Sequence, residues 1–290
     1  MERARRGAAR WHRLPAARTF PGVTLVVVSP HILAVRFGSL GDILLSTPLF
    51  RAIRARHPQV RITVLTRRRY APLLADNPRI DEVIGLAPGD SLLEIGGRLR
   101  ATHFNYLLDL ENTPKSRLLR LLVPGRWHTA PQYRVARALL VRTKQNHYPE
   151  DAAIADRYFD AAAALDVVPD GGPAEFFLSP DAEEKADAWL AHANVGKDRP
   201  FVAFAPGASQ PTKRWPLEYW VRLARRVAGT GADAVMVGGP DDTMIAAEVA
   251  ARSTVRAVNA AGVLSLQGTG AVLKRAAALV TGHTGAKLSQ

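Results

Sequence analysis

The residues best placed to do chemistry lie in short loops between apolar segments. The first loop is Arg36-Phe37-Gly38-Ser39-Leu40-Gly41-Asp42. It joins an apolar run, residues 32–36, to a helical spacing of Leu45, Leu49, Ala52 and Ile53. Gly38 and Gly41 let the backbone come close to a ligand, with Ser39 between them. The carboxylate of Asp42 then falls at the mouth of a helix, beyond the carboxyl end of a strand, where open α/β sheets bind ligands. A carboxylate there can take a proton from a substrate, or it can simply cap the helix. The spacing leaves both readings open. The third glycine of a dinucleotide fingerprint is missing.

The second loop, Pro206-Gly207-Ala208-Ser209-Gln210-Pro211-Thr212-Lys213-Arg214-Trp215-Pro216, also leads from a strand into a helix. The hydroxyls of Ser209 and Thr212, the ammonium of Lys213 and the free N–H groups of a helix start suit a phosphate. The same residues also read as a solvated basic loop with Trp215 plugging the core. A third segment, Gly238-Gly239-Pro240-Asp241-Asp242, has two adjacent carboxylates but reads as a turn in which Asp241 or Asp242 caps the next helix. The eight histidines show no metal-ligand spacing, so no metal site is expected. No nucleophile–base pair is identifiable either, which leaves hydrolase chemistry unsupported.

These loops need strands and helices in alternation, and the chain supplies them. Strands are expected at 32–36, 60–65, 82–86 and 106–110, with helical segments near 70–75, 92–101, 116–122 and 151–165. Thr47-Pro48 suits a helix N-cap and first turn, although the helix could also begin near Asp42 and bend at Pro48. The run Val168-Pro169-Asp170-Gly171-Gly172-Pro173 is the strongest breaker in the chain. After it, a helix over 181–192 precedes a second alternation: strands at 201–205, 234–237, 255–258 and 278–281, helices at 216–228, 242–250 and 266–277. This order predicts an α/β protein with parallel sheets covered on both faces. The expected division is a basic extension over 1–30, a first Rossmann-like domain over 31–172 and a second over 173–290.

The chain has 290 residues, 47% of them hydrophobic, enough for cores of that size. It has no cysteine, which excludes a disulfide framework and a Cys-ligated zinc and is compatible with a reducing cytoplasm. The net charge of +13 favours polyanionic partners. Residues 1–20 hold six arginines against Glu2 alone, and Arg51, Arg54, Arg56, Arg61 and Arg67–Arg69 crowd the first loop. Val23–Val28 is far shorter than a membrane span.

Two long segments together resemble glycosyltransferase family 9, the heptosyltransferases of lipopolysaccharide core assembly. The first runs from ILAVRFGSLGDILLSTPLF through Asn77-Pro78-Arg79-Ile80-Asp81-Glu82-Val83. The second comprises FVAFAPGASQPTKRWPLEYW, then VMVGGPDD, then LSLQGTGAVLKRAAALVTGHTG. The resemblance covers about residues 31–285. It implies the GT-B architecture, two Rossmann-like domains facing a cleft, with the acceptor mainly on the first and the nucleotide sugar mainly on the second. It implies inverting transfer of a sugar, heptose from ADP-heptose, to a phosphorylated glycolipid acceptor. It further implies no metal cofactor, no nucleic-acid partner, and a cytoplasmic location at the inner face of the membrane. Asp42 corresponds to the general base, beside an acceptor loop of Gly38, Ser39 and Gly41. Lys213 corresponds to the partner of the donor pyrophosphate, with Ser209, Thr212, Thr284 and Gly285 nearby. The family pattern near the last pair has an acid and a histidine where this chain has His283 and Leu288. The chain then ends at Gln290, so the second domain is expected to be incomplete, and a remnant without turnover is the alternative expectation.

Overall fold

The computed structural model describes residues 29–147, 149, 153–208 and 211–282. The expected extension over 1–30 therefore lies almost wholly outside the described residues, as do Ser209, His283, Thr284, Gly285 and Leu288.

The first half is built on β1 (His31–Val35), whose five residues are all buried. The alternation of side chains sends Ile32 and Ala34 into one core and Leu33 and Val35 into another. A strand buried on both faces needs a continuous apolar run, and this one has it. The short α1 (Leu40–Leu44) follows, then α2 (Thr47–Arg56), β2 (Arg61–Arg67) and a 3-10 segment, Arg68–Leu73. Next come β3 (Glu82–Leu86), α3 (Leu92–Ala101), β4 (Tyr106–Asp109), α4 (Pro114–Leu122) and β5 (Trp127–Thr129). The sheet order is β3-β2-β1-β4-β5, every pair parallel. Helices α5 (Arg134–Thr143) and α6 (Ile154–Ala161) follow. Helices α1, α2 and α6 cover one face through Ile43, Leu49, Phe50, Ile53, Tyr158 and Phe159. Helices α3 and α4 cover the other through Ile95, Leu99 and Leu119.

The second half repeats the plan. Helix α7 (Pro180–His192) leads to β6 (Phe201–Ala205), α8 (Leu217–Gly229), β7 (Asp233–Met236), α9 (Thr243–Ser253), β8 (Ala257–Asn259), α10 (Leu266–Arg275) and β9 (Ala278–Thr281). Its sheet order is β8-β7-β6-β9, again all parallel. Phe201, Ala203 and Ala205 pack towards α7 and α10, whereas Phe204 packs towards Trp220 of α8 and Ala246 of α9.

Several local expectations need correction. Thr47 does not cap a helix: it is the first residue of α2, and its hydroxyl donates to Leu44 O at 2.7 Å and accepts from Glu175 N at 2.7 Å. The helix does not bend at Pro48; two helices form, separated by Leu45-Ser46. The segment expected as a helix near 70–75 is the 3-10 stretch Arg68–Leu73. Trp215 is not the core plug, being 47% exposed against the ring of Trp220, 5.2 Å away; Trp220, 1% exposed, fills the core. Neither β5 nor α5 was anticipated.

The two halves are tied together by the segment between α6 and α7 and by α10. Arg51 donates to Asp170 from Nε and Nη2 at 2.6 and 2.7 Å and to Pro173 O at 2.9 Å. Gln267, 7% exposed, places Nε2 2.7 Å from Pro72 O, 3.0 Å from Asp76 Oδ2 and 3.1 Å from Phe177 O. Its Oε1 accepts from Ser179 N at 3.0 Å.

Candidate active site

The carboxyl ends of the two sheets face one cavity of about 610 Å³. Ser39, Leu40, Gly41 and Tyr70 contribute one wall, and Gly207, Ala208, Arg214 and Gly238–Asp242 contribute the other. Volumes of this order are usual for small-molecule sites.

On the first wall Asp42 follows directly on the lining residues. Its Oδ2 accepts from Ser39 N and Ser39 Oγ, both at 3.0 Å, and pairs with Arg36 Nη2 at 2.6 Å. The Asp42 side chain is 22% exposed and that of Arg36 is 11%. Arg36 is itself anchored, its Nη1 donating to Leu110 O at 2.8 Å and its guanidinium lying 5.7 Å from the Tyr158 ring centre. The Tyr158 hydroxyl donates to Asp42 O at 3.2 Å. Burial, with Asp42 and Glu111 nearby, raises the Tyr158 hydroxyl well above the usual phenol range although Arg36 pulls it down. Glu111, at the carboxyl end of β4, accepts from Phe37 N at 2.5 Å. Burial raises its carboxyl above the usual range against the opposing pull of that N–H and of Arg36 and Arg67. The loop carrying Glu111 is fixed by the fully buried Asp109, which accepts from Glu111 N at 3.0 Å, Asn112 N at 2.7 Å and Ser116 Oγ at 2.9 Å.

Gly38 stands where a Cβ would come within 3.2 Å of Tyr70 Cε2, so its small size serves that ring as well as the loop. Arg67, Arg68 and Arg69 at the end of β2 are exposed, and Lys115 Nζ lies 5.1 Å from the Phe37 ring centre. The mouth of the first wall is therefore cationic.

On the second wall the carboxylate of Asp242 rests on Gly207: a Cβ there would fall 1.8 Å from Asp242 Oδ1. Only glycine fits that position. Asp242 Oδ2 also accepts from Gly239 N at 3.0 Å; Asp242 stands at the N-cap of α9 as expected, but its side chain makes no hydrogen bond to that helix and closes the preceding 3-10 turn instead. Thr212 and Lys213 lie in the 3-10 turn Pro211–Lys213 and are exposed. Their neighbour Arg214 lines the cavity, its Nε bonded to Ala208 O at 2.7 Å.

The structure thus brings Ser39 and Gly41 together with Gly207, Arg214 and Asp242 around one cavity, with Gly38 and Asp42 next to the first pair in the chain. Sequence reasoning missed Arg36 as the partner of Asp42, although it is the first residue of the same loop. It missed Glu111 too, which its place just beyond a strand's carboxyl end could have flagged. Nothing local points to Tyr158, 116 residues from Asp42.

Comparison with known proteins agrees with this geometry. The chain is 28% identical over 232 residues to lipopolysaccharide heptosyltransferase 2 of Salmonella typhimurium, an alignment covering 73% of this chain and 64% of that protein. It is 27% identical over 273 residues to lipopolysaccharide heptosyltransferase 2 of Escherichia coli, covering 88% and 77%. Among solved structures, a family 9 glycosyl transferase from Veillonella parvula superposes with a TM-score of 0.75 at 20% identity, covering 90% of this chain and 77% of that one. The ADP-heptose lipopolysaccharide heptosyltransferase II of E. coli gives 0.68 at 24%, covering 88% and 80%. Both superpositions show the fold: two parallel α/β halves in the GT-B arrangement. The profile of glycosyltransferase family 9 (heptosyltransferase) matches residues 92–287, the whole of the second sheet and part of the first, so the chain belongs to that family.

Proposed function

We propose that the protein transfers a sugar, heptose from ADP-heptose, to a lipopolysaccharide core-type acceptor with inversion. The observation that carries this reading is the position of Asp42. It follows directly on Ser39, Leu40 and Gly41, which line the cavity between the two sheets, and it is held by Arg36 and Ser39. All three of these contacts fall on Oδ2, so Oδ1 is the oxygen that meets the acceptor hydroxyl. The hydroxyl oxygen attacks the anomeric carbon, its proton passes to Asp42, and the bond from that carbon to the pyrophosphate oxygen breaks with ADP as leaving group. Negative charge gathers on the pyrophosphate, and Lys213, Arg214 and the helix start after Pro216 answer it. The arginines at 67–69 and Lys115 suit a phosphorylated acceptor at the opposite mouth.

The decisive assay follows ADP release with ADP-heptose and a core-type acceptor, alongside calorimetric titration of ADP. Asp42→Asn keeps the shape of the side chain but cannot take the proton. It is expected to lower kcat by about 10²–10⁴ while ADP affinity stays within about twofold. Near-normal turnover in the variant removes Asp42 from the mechanism. A wild-type chain that binds ADP without turnover points instead to a nucleotide-sugar-binding protein.

A further inference from the structure

The cavity between the sheets is not lined uniformly. Glycines, Arg214 and Asp242 line it from the second half, whereas Leu40, Tyr70, Leu73 and Phe176 give it an apolar part. Leu73 belongs to the first core, and Leu40, Tyr70 and Phe176 pack half-buried against that core. Phosphates have no use for such a surface. The C–H face of a sugar ring does, because it is the apolar side of a molecule whose hydroxyls point outwards. Tyr70 is the member of this group with a polar atom. Its hydroxyl can both donate and accept, and tyrosines removed from water normally find a partner for it. Tyr158 spends its hydroxyl on Asp42 O, but the Tyr70 hydroxyl makes no hydrogen bond to any of the described residues. The ring that carries it is nevertheless fixed. The Arg69 guanidinium lies 4.6 Å from the ring centre. Gly38 leaves room for the ring edge, since a Cβ there would fall 3.2 Å from Tyr70 Cε2. The 3-10 segment Arg68–Leu73 lies close on β3, where a Cβ on Gly85 would fall 3.0 Å from Arg68 Cα, and its Pro72 O accepts from Gln267 of α10. A firmly held ring with an unspent hydroxyl, lining a cavity, is preorganised for a ligand.

We propose that Tyr70 is a specificity-determining residue for the acceptor: its hydroxyl hydrogen-bonds a non-reacting hydroxyl of the acceptor sugar, whose C–H face rests on Leu40, Leu73 and Phe176. The inference rests on the transfer reading above. The sugar in question is the acceptor's because Tyr70 belongs to the first half and packs on Gly38, in the loop that ends at Asp42. The groups suited to the donor's phosphates, Lys213 and Arg214, come from the second half. A hydroxyl placed in this way discriminates by penalty as much as by attraction. An acceptor lacking the matching hydroxyl shuts water out of the cavity and leaves the tyrosine unpaired.

The test is Tyr70→Phe, which removes the hydroxyl and keeps the ring. In the ADP-release assay the acceptor KM is expected to rise about three- to tenfold, with kcat and the donor KM within about twofold. Tm is expected to stay unchanged, because the hydroxyl bonds none of the described residues. A series of core-type acceptors, each lacking one non-reacting hydroxyl of the terminal sugar, identifies the group that is read. One of them is expected to cost the wild-type chain the same three- to tenfold and to cost the variant nothing further. Calorimetric titration of the intact acceptor repeats the comparison without turnover, so a chain that binds acceptor but transfers nothing defeats the transfer reading alone. The proposal is overturned if the variant binds acceptor as tightly as the wild type, if the donor KM rises instead, or if every deoxygenated acceptor penalises both proteins equally. A fall in Tm with both KM values raised together would show a structural contact only and overturns it as well. A wild-type chain that binds no acceptor removes this assignment together with the transfer reading.

Discussion

At the scale of single residues, the chemistry of this site is governed by which charges are confined together. Asp42 with Arg36 in one loop, Glu111 and Tyr158 come from three parts of the chain and share one small volume, with Arg36 as the cation between two carboxylates. Arg36 suits this post better than lysine would, because its fork reaches Leu110 O and Asp42 at once. Glu111 is half-buried, and burial raises its carboxyl above the usual range. The consequence for stability has a definite sign. Below the ordinary glutamate value both folded and unfolded states hold the proton, and burial costs nothing. Between that value and the raised one the folded state binds more protons, so stability falls as pH rises and stays reduced above it. Glu111→Gln keeps an acceptor for Phe37 N–H and removes the charge. It is therefore expected to raise Tm by about 2–4 °C at neutral pH, a gain that fades to nothing as pH falls below about 4. Thermal melts of both proteins across that range decide it. A gain that grows on acidification would show that the buried carboxylate is stabilising instead.

At the scale of elements, the two halves use the same turn to present their carboxylates. Ser39 and Gly239 have identical backbone angles, φ −79° and ψ −178°, and the residue three positions on accepts their N–H at 3.0 Å in both cases. In the first half that residue is Asp42, in the second Asp242. What differs is the neighbouring loop: β1 leads into its helix directly, whereas β6 reaches α8 through the longer segment 206–216. That length lets Arg214 turn back to Ala208 while Lys213 stands out on a 3-10 turn. In the proposed reaction Lys213 is the point charge that closes on the pyrophosphate, while Arg214 lines the cavity. Lys213→Ala is expected to raise the donor KM and lower kcat, with kcat/KM for the donor down about tenfold or more and the acceptor KM nearly unchanged. Separate titrations of donor and acceptor distinguish this from a loss on the acceptor side, which would contradict the assignment.

At the scale of the whole molecule, a cleft exists only if the two sheets hold a fixed relation, and a few contacts set it. Gln267 is central to them. One amide reaches the 3-10 segment of the first half, the connecting segment before α7 and, through Oε1, Ser179 at the start of α7. Leu266 and Phe176 pack beside it against the first core. Gly270 lets the Phe176 ring approach, since a Cβ there would fall 2.3 Å from Cε1. Gln267→Ala removes these bonds and leaves carbonyl groups unpaired in a buried place. It is expected to cost about 1–3 kcal/mol, and Tm to fall by about 2–4 °C per kcal/mol. Calorimetry should also show the unfolding of the halves separating into two transitions. A single transition at the wild-type temperature would mean that the connecting segment alone couples them.

What the sequence by itself determined is whatever depends on neighbours along the chain. The uninterrupted apolar runs at 32–35 and 201–205 marked strands buried on both faces, and their alternation with helical spacing marked a parallel α/β chain. The loop after β1 follows a strand's carboxyl end, which marks Asp42 as a candidate ligand-binding residue from the chain alone. The tertiary structure alone decided the rest. Strand β5 reads Trp-His-Thr, three half-buried residues with no apolar period to detect, and it exists because β4 offers it an edge. Helix α5 was invisible for a related reason: its apolar residues do not face the core, so the pattern that signals a buried helical face is absent. Trp220 rather than Trp215 plugs the second core because Trp220 lies on the face of α8 that meets the sheet, whereas Trp215 precedes the helix. Partners far apart in sequence, such as Tyr158 with Asp42 and Gln267 with Pro72 and Asp76, leave no trace in local spacing. Periodicity records only whether a position faces inwards; which inward groups meet is set by strand order and by how the halves dock.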